Sequence, residues 1–244
     1  MEIRRFFVPN EAAYDNKIII EGEQFTHMVK VLRYKVGYEL IICLNDGLDY
    51  KCTLMKINKD SAEARIDVVE RNEAMPCCNI TLYQALPKGD KLDLITQKCV
   101  ELGVYKIQPF LSKYTNETKF NKQRLEKIGQ EACKQCGRAK LPVIGDLKTF
   151  DEIIEEAKNE EILIMPYEHA QVGKLSNIKG IKSAKSIGII IGSEGGFSED
   201  EVEKAKKNKA KIISLGKRIL RCETAAIVAQ TLVMYTIGEL SRWK

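Results

Sequence analysis

Only two histidines, His27 and His169, occur in the 244 residues. Imidazole-rich metal sites and histidine relays therefore have almost nothing to build on. The eight cysteines (Cys43, Cys52, Cys77, Cys78, Cys99, Cys133, Cys136 and Cys222) are scattered, most of them inside apolar stretches. A chain of this length needs no disulfide staples, so they read as reduced thiols. Adjacent Cys77-Cys78 makes a poor second pair for Cys133-x-x-Cys136, which argues against zinc, and no metal is expected. Cys133 and Cys136 fall at the far end of a helical segment, where the dipole disfavours thiolate, so a packing role outweighs a redox one. No apolar run approaches the about 20 residues that span a bilayer. Met1 leads into "EIRRFFVPN" rather than a basic-then-apolar leader, so a cytoplasmic protein is expected. Neither the dinucleotide fingerprint nor the P-loop occurs, and there is no internal repeat or low-complexity segment.

What is present suits a folded protein of one large domain, or a small one plus a medium one. Hydrophobic residues make up 44% and charged residues 30%, and the formal net charge of +5 permits a polyanionic partner without demanding one. Residues 1–72 read as β-rich: "KIIIEG" as a strand, "YELIICLNDGLDYKCTLMKI" as a hairpin around Asn45-Asp46-Gly47, and "SAEARIDVVER" as a further strand. Between them "EQFTHMVKVLR" reads as a short helix with Phe25, Met28, Val29 and Leu32 near one face. Strands so closely spaced suggest a small barrel. "RNEAMPCCN" reads as a linker, placed at 73–78. From 79 to 244 strands and helices alternate, which predicts an α/β domain with a mostly parallel sheet covered on both faces. Its last helix, "ETAAIVAQTLVMYTIGELSR", is apolar nearly all round, as a buried helix or a dimer face would be.

The most informative stretch is "SIGIIIGSEGGFSEDEVEKAKK", Ser186 to Lys207: a β-branched run, a glycine turn, then a charged helix. Gly195 and Gly196 allow positive φ and close backbone approach. Ser198 fits an N-cap, Glu201 completes a capping box, and Phe197 with Val202 forms a hydrophobic staple. A bare helix start attracts anions. Here Ser198, Glu199, Asp200 and Glu201 already occupy that start, with Glu194 just before it. A phosphate near these carboxylates would meet about 1 kcal/mol of repulsion per pair at ~4 Å even in water. The loop suits a ligand without phosphates, one with a positive centre for instance, or else is a simple tight turn. A second loop, "SLGKRILRCETAA" (Ser214–Ala226), and a third after "EILIMPYEHA" also follow strands. Ligands in open α/β sheets bind beyond the carboxyl ends of strands. The expected ligand-binding residues are Met165 and Pro166 from one loop; Ile191, Gly192, Glu194, Gly195 and Gly196 from the next; and Ser214, Leu215, Gly216, Arg218, Ile219 and Leu220 from the last.

"GSEGGFSEDEV" followed by "SLGKRILRCETAA" resembles the end of a SPOUT-superfamily methyltransferase, and more narrowly the family that methylates N3 of a uridine in 16S ribosomal RNA. "RRFFV", "HMVKVLR", "LPKGDKLDLITQKCVELGV" and "EACKQCGRAKLP" extend the resemblance nearly end to end in the same order. The family often has proline where Ser193 and Lys217 stand, both loop positions where neither side chain need act. The resemblance implies an N-terminal PUA-like barrel that binds RNA, a C-terminal SPOUT domain with a deep trefoil knot, S-adenosylmethionine held in that knot, and a homodimer. That cofactor carries a sulfonium and no phosphate, which agrees with the acidic loop.

For such a reaction an arginine could stabilise the anion that develops on O2 or O4 of the uracil. Arg138 and Arg221 are the candidates, and Glu223, Glu101 or water is the proton acceptor. Each has a structural alternative: Arg138 as a helix C-terminal cation, Arg221 and Glu223 as a local ion pair, Glu101 as a solvated helix residue. RNA contacts are expected from Arg4, Arg5, Lys30, Arg33 and Lys35, where bases interleave with aromatics, and from Lys88 and Lys91, with Lys113 and Lys122 as further members. Each of these also fits a solvated surface charge. Two alternatives stand beside the enzyme: an RNA-binding accessory protein with a degenerate cofactor pocket, and a SPOUT enzyme with another RNA target.

Overall fold

Alternating burial along short strands builds the N-terminal part of the chain, as seen in a computed structural model that describes residues 3–170 and 175–240. Its elements are β1 (Arg5–Phe7), β2 (Ala13–Tyr14), β3 (Lys17–Glu21), α1 (Gly22–Thr26), β4 (Glu39–Cys43), β5 (Leu48–Ile57) and β6 (Ser61–Arg71). They form one six-stranded sheet in the order β1-β4-β5-β6-β3-β2. The β4–β5 hairpin turns where expected, with Asn45 at φ 64° and Gly47 at φ 90°. Register shifts at Lys51/Cys52 and Leu54/Lys56 bend β5 and β6. The sheet curls around one core containing Phe6, Ile18, Ile20, Leu40, Ile42 and Leu54. The predicted helix continues past α1, but as a wider turn over His27–Val31, in which the Leu32 N–H donates to the His27 carbonyl at 3.0 Å. Phe25 and Met28 are buried there, with Val29 and Leu32 packed against the same core.

The rest of the chain supplies β7 (Asn79–Ala85), α2 (Lys91–Glu101), β8 (Lys106–Leu111), α3 (Lys122–Cys136), β9 (Val143–Ile144), β10 (Lys148–Thr149), α4 (Phe150–Ala157), β11 (Ile162–Pro166), β12 (Ser186–Ile191), α5 (Glu199–Lys207), β13 (Lys211–Ile213) and α6 (Cys222–Thr236). The second sheet runs β10-β8-β7-β12-β11-β13, with β9 beside β8, and its pairs are parallel. In β7 and β12 consecutive residues are buried, and since neighbours point to opposite faces, both faces are covered. The helices α4 and α5 share a core with Tyr83, Met165 and Ile190. α2 packs on α6, and α6 on β12. The pairs β9 and β10 arise inside "RAKLPVIGDLKT", which carries no strand-length apolar run; each is two residues long and is held by pairing with β8.

The chain divides into two units: Met1–Met75 with Cys133–Leu141, and Pro76–Ala132 with Pro142–Lys244. The end of α3 and its following loop thus group with the first sheet, although the sequence places them within the α/β segment. Side-chain hydrogen bonds explain this: Asn72 Nδ2 donates to the Gly137 carbonyl at 2.8 Å, and the Leu141 N–H donates to Asn45 Oδ1, also at 2.8 Å.

The capping box at α5 is present. Ser198 Oγ accepts from the Glu201 N–H at 3.3 Å, and Glu201 Oε2 accepts from the Ser198 N–H at 2.9 Å. A second box, Thr149 with Glu152, starts α4. Ser198→Ala is expected to destabilise the fold by about 1 kcal/mol. Urea unfolding of the two proteins measures it, and an unchanged midpoint would deny the cap its contribution.

Candidate functional site

Three parallel neighbours, β12, β11 and β13, deliver their carboxyl-end loops to one edge of the second sheet. After β12 the chain makes a tight turn in which the Gly196 N–H donates to the Ser193 carbonyl at 3.0 Å. Gly196 has φ +65°, but Gly195 is not in the left-handed region. The expectation of positive φ at both glycines is corrected there. Gly195 is required for space: a Cβ would lie 2.6 Å from Tyr114 Cβ. At Gly196 a Cβ would lie 3.1 Å from Glu168 Oε1. Phe197 leaves the turn inward, its ring 6.2 Å from that of Phe150, and it shares a core with Val202, the other half of the expected staple.

The acidic character of this turn is smaller than its composition suggests. Glu194 pairs with Lys91 and accepts from the Lys88 N–H at 3.1 Å. Burial works to raise its pKa, but the Lys91 ammonium and the backbone N–H groups outweigh that and hold the carboxyl below its usual value. Glu201 is buried and accepts from the Lys113 N–H at 2.8 Å as well as from Ser198. Glu199 and Asp200 are exposed, as is Glu194 beside Lys91. The helix start is therefore closed by its own cap and by the Lys113 turn, which still leaves no cradle for a phosphate.

Beside this turn lies a small cleft of about 80 Å³, lined by Pro166, Tyr167, Glu168, Ser214, Leu215, Gly216, Arg218, Ile219, Leu220 and Ala225. Seven of these come from the expected set: Pro166, Ser214, Leu215, Gly216, Arg218, Ile219 and Leu220. Met165 and Ile191 do not line it; they are buried at 0% and 2% exposure as the last core residues of their strands. Gly196 reaches it through Glu168. Ser214 Oγ and the Gly216 N–H are 3.2 Å apart, a local turn that holds Gly216 at φ +121°. Ile219 displays its side chain at 86% exposure, an unusual degree for isoleucine. Tyr167, Glu168 and Ala225 are cleft residues that sequence reasoning missed. The available signal was the acid in "PYEHA", directly after a strand end. His169 stands edge-on to Tyr167, with ring centroids 5.3 Å apart.

Arg221 is the exposed N-cap residue of α6, and Glu223 lies in the first turn of that helix. Among the described residues no ion pair joins them, which removes the local-pair alternative; Glu223 Oε2 instead accepts from Cys222 Sγ at 3.3 Å. Burial first, then Glu223 and Glu194, push the Cys222 thiol up to about 12, so it is no thiolate nucleophile. Burial likewise pushes Cys133 up to about 12 against the pull of Arg138. Glu101 pairs with Lys98 at 2.9 Å, as a helix-surface residue does. Arg138 is 3% exposed and belongs to the first unit, whereas Arg221 and Glu223 belong to the second. No group of three or more metal-ligating side chains occurs among the described residues.

Of the expected RNA contacts, Arg4, Lys30, Arg33, Lys35 and Lys88 are exposed. Arg5 is not available: its side chain is 11% exposed and paired with buried Asp49. The cause is strand alternation around β1, which turns this guanidinium toward the Asp49 carboxylate. Lys91 is held by Glu194, Lys122 lies 2.9 Å from Asp146, and Lys113 lies 3.9 Å from Asp200. No helix among the described residues is long and apolar enough to cross a membrane.

Residues 73–234 match the family model described as RNA methyltransferase domain, and residues 20–67 match that of an RNA methyltransferase PUA domain. The ribosomal RNA small subunit methyltransferase E of Bacillus subtilis is 32% identical over 228 residues, covering 88% of this chain and 89% of that protein. A methyltransferase from Legionella pneumophila, solved with the bound cofactor S-adenosylmethionine, superposes with a TM-score of 0.83 at 27% identity, over 96% of this chain and 98% of that one. The ribosomal RNA small subunit methyltransferase E of Neisseria gonorrhoeae, bound to S-adenosyl methionine, gives 0.82 at 27% identity over the same shares. With sequence and fold matched from the first sheet through α6, the chain belongs to the RNA methyltransferase family of the ribosomal RNA small subunit methyltransferase E proteins.

Proposed function

We propose that this protein methylates N3 of a uridine in small-subunit (16S) ribosomal RNA, using S-adenosylmethionine held by the three loops beyond β11, β12 and β13. The observation that carries the reading is the cleft, which joins apolar walls to the Glu168 carboxylate. Leu215, Ile219 and Leu220 offer apolar surface for a purine, Ser214 a hydroxyl, and Glu168 a carboxylate with no hydrogen-bond or ion-pair partner among the described residues. These groups suit an adenosine with a cationic sulfur. The bound cofactor supplies an activated methyl group, so no covalent enzyme intermediate is needed.

The chain's own residues then have two tasks. One is to position the uracil against the cleft. The other is to help remove the N3 proton, whose pKa lies well above neutral. Arg138 is assigned to the anion developing on O2 or O4, Arg221 to the same charge or to the RNA, and Glu223 or water to the proton. The domain assignment is 1–72 as the PUA-like barrel that binds RNA and 79–244 as the SPOUT domain, with 73–78 between them. A deep trefoil knot in the second unit is part of this reading. It is supported by the resemblance and by the order β12-β11-β13, in which the last strand lies outside its two predecessors. A homodimer is supported by Leu232 and Tyr235 of α6, exposed at 38% and 62%. A cytoplasmic location follows from the substrate.

Calorimetric titration with S-adenosylhomocysteine, then methyl transfer to unmethylated small subunits, tests the assignment. One-to-one binding and incorporation at uracil N3 are expected. Binding without transfer would point to another RNA target. No binding, with or without subunits, would leave an RNA-binding accessory protein.

Phosphate contacts set the salt dependence of RNA binding. Lys30→Gln is therefore expected to flatten the slope of log affinity against log salt by about 0.7, with other behaviour unchanged. Arg5→Gln is expected to leave that slope alone and instead to destabilise the first unit by about 3 kcal/mol, because the Asp49 carboxylate would stay buried without its counter-charge. A slope change in Arg5→Gln without a melting shift would reverse these roles.

A further inference from the structure

We infer that Asn72, backed by Asp49 and Arg5, is a positioning residue for Arg138. The inference rests on the assignment of Arg138 to the reaction proposed above. Helix α3 ends at Gly137, whose φ of +83° terminates it. The Arg138 N–H donates back to the Cys133 carbonyl at 3.1 Å. On the other side of the same peptide plane, the Gly137 carbonyl accepts from Asn72 Nδ2 at 2.8 Å. The peptide unit from which Arg138 springs is thus held by both its donor and its acceptor. A rigid root is what a charge-stabilising side chain needs, because its donors must already point at the charge when it forms.

The chemistry of position 72 is specific. Asn72 Nδ2 also donates to Asp49 Oδ2 at 2.9 Å, and Oδ1 accepts from the Ala74 N–H at 3.1 Å. Only a primary amide offers two donors and an acceptor at that length. Asparagine 72 is 4% exposed and Asp49 6%, so each bond is sheltered from water. Asp49 is fixed in turn by Arg5, whose Nη2 lies 3.1 Å from Oδ2. The far end of the same loop is tied by the Leu141 N–H to Asn45 Oδ1 at 2.8 Å, on the β4–β5 turn. All of these groups belong to the first unit. The RNA-binding part of the chain therefore also aims the arginine.

The test is a double-mutant cycle with Asn72→Ala and Arg138→Ala, read as single-turnover methyl transfer to small subunits alongside melting and S-adenosylhomocysteine affinity. Asn72→Ala is expected to slow transfer by on the order of tenfold to a hundredfold, the effect of misplacing a catalytic group by about 1 Å. Cofactor affinity should stay within about twofold, and the effect should vanish in the Arg138→Ala background. Equal slowing in both backgrounds, or none, overturns the inference while Arg138 keeps its role. If Arg138→Ala itself leaves transfer intact, the role of Arg138 falls and the inference with it. Should Asn72→Ala fail to fold, Asn45→Gly takes its place in the cycle. It tolerates the positive φ of 64° at that turn and removes the side chain whose Oδ1 holds Leu141, with a severalfold slowing expected and the same two outcomes decisive.

Discussion

Gly195→Val is expected to lower S-adenosylhomocysteine affinity at least a hundredfold, about 2.7 kcal/mol. The added Cβ alone would stand 2.6 Å from Tyr114 Cβ and 3.3 Å from the Tyr114 carbonyl oxygen, and valine adds two methyl groups beyond it. Overpacking of this kind costs about 1–3 kcal/mol when neighbours can adjust. The Tyr114 turn cannot easily withdraw. The Lys113 N–H is bonded to Glu201 at 2.8 Å, the Ser112 N–H to Thr115 Oγ1 at 3.0 Å, and the Thr115 N–H returns to the Ser112 carbonyl at 3.0 Å. The glycine turn must move instead, taking Gly196 away from Glu168 and the cleft. Calorimetric titration checks this, and wild-type affinity in the variant would remove the turn from the cofactor site. Tyr114→Gly in the same chain deletes the atom that is struck, so it should recover part of the loss if the collision is the cause.

Arg138→Ala is expected to cut methyl transfer by about a hundredfold to a thousandfold, the usual effect of deleting one anion-stabilising donor. The uracil N3 proton is weakly acidic, and each unit by which its pKa is lowered is worth about 1.4 kcal/mol. S-adenosylhomocysteine affinity should change by less than about twofold, since Arg138 is not among the residues that line the cleft. The sign of the pH effect follows from the same reasoning. Raising pH increases the fraction of uracil that is already ionised, so the variant should gain rate steeply with pH and its deficit should narrow. Single-turnover rates across pH decide the matter. Unchanged turnover would return Arg138 to the structural role of a cation at a helix end. Arg138→Lys should not restore the rate, because an ammonium lacks the planar fork that can bridge two positions of a delocalised anion.

Much of this molecule was legible in local patterns. The Asn45-Asp46-Gly47 turn, the β-branched runs of β11 and β12, and the box of Ser198 with Glu201 depend on neighbours a few residues apart, and each appears where those neighbours dictate. The alternation after residue 79 likewise set a parallel sheet, because parallel strands need crossovers of helix length. The rule for carboxyl ends anticipated a cleft there; the loops after β11 and β13 line it with seven of the predicted residues, while the glycine turn after β12 supplies none of its lining.

What the sequence could not decide were pairings between residues far apart in the chain. Arg5 read as an RNA contact until Asp49, 44 residues on, took its charge. Glu194 read as a free acid until Lys91, 103 residues earlier, met it. Gly195 was chosen correctly for close approach, but the partner, Tyr114, lies on another element. Segment 133–141 is the last turn of α3 and the loop after it, yet Asn72 and Asn45 bind it to the first sheet. Caps, turns and hydrophobic periods are short-range and are written in consecutive residues. Whether a charge or a carbonyl is satisfied depends on which distant group the fold brings within 3 Å, and only the tertiary structure supplies that.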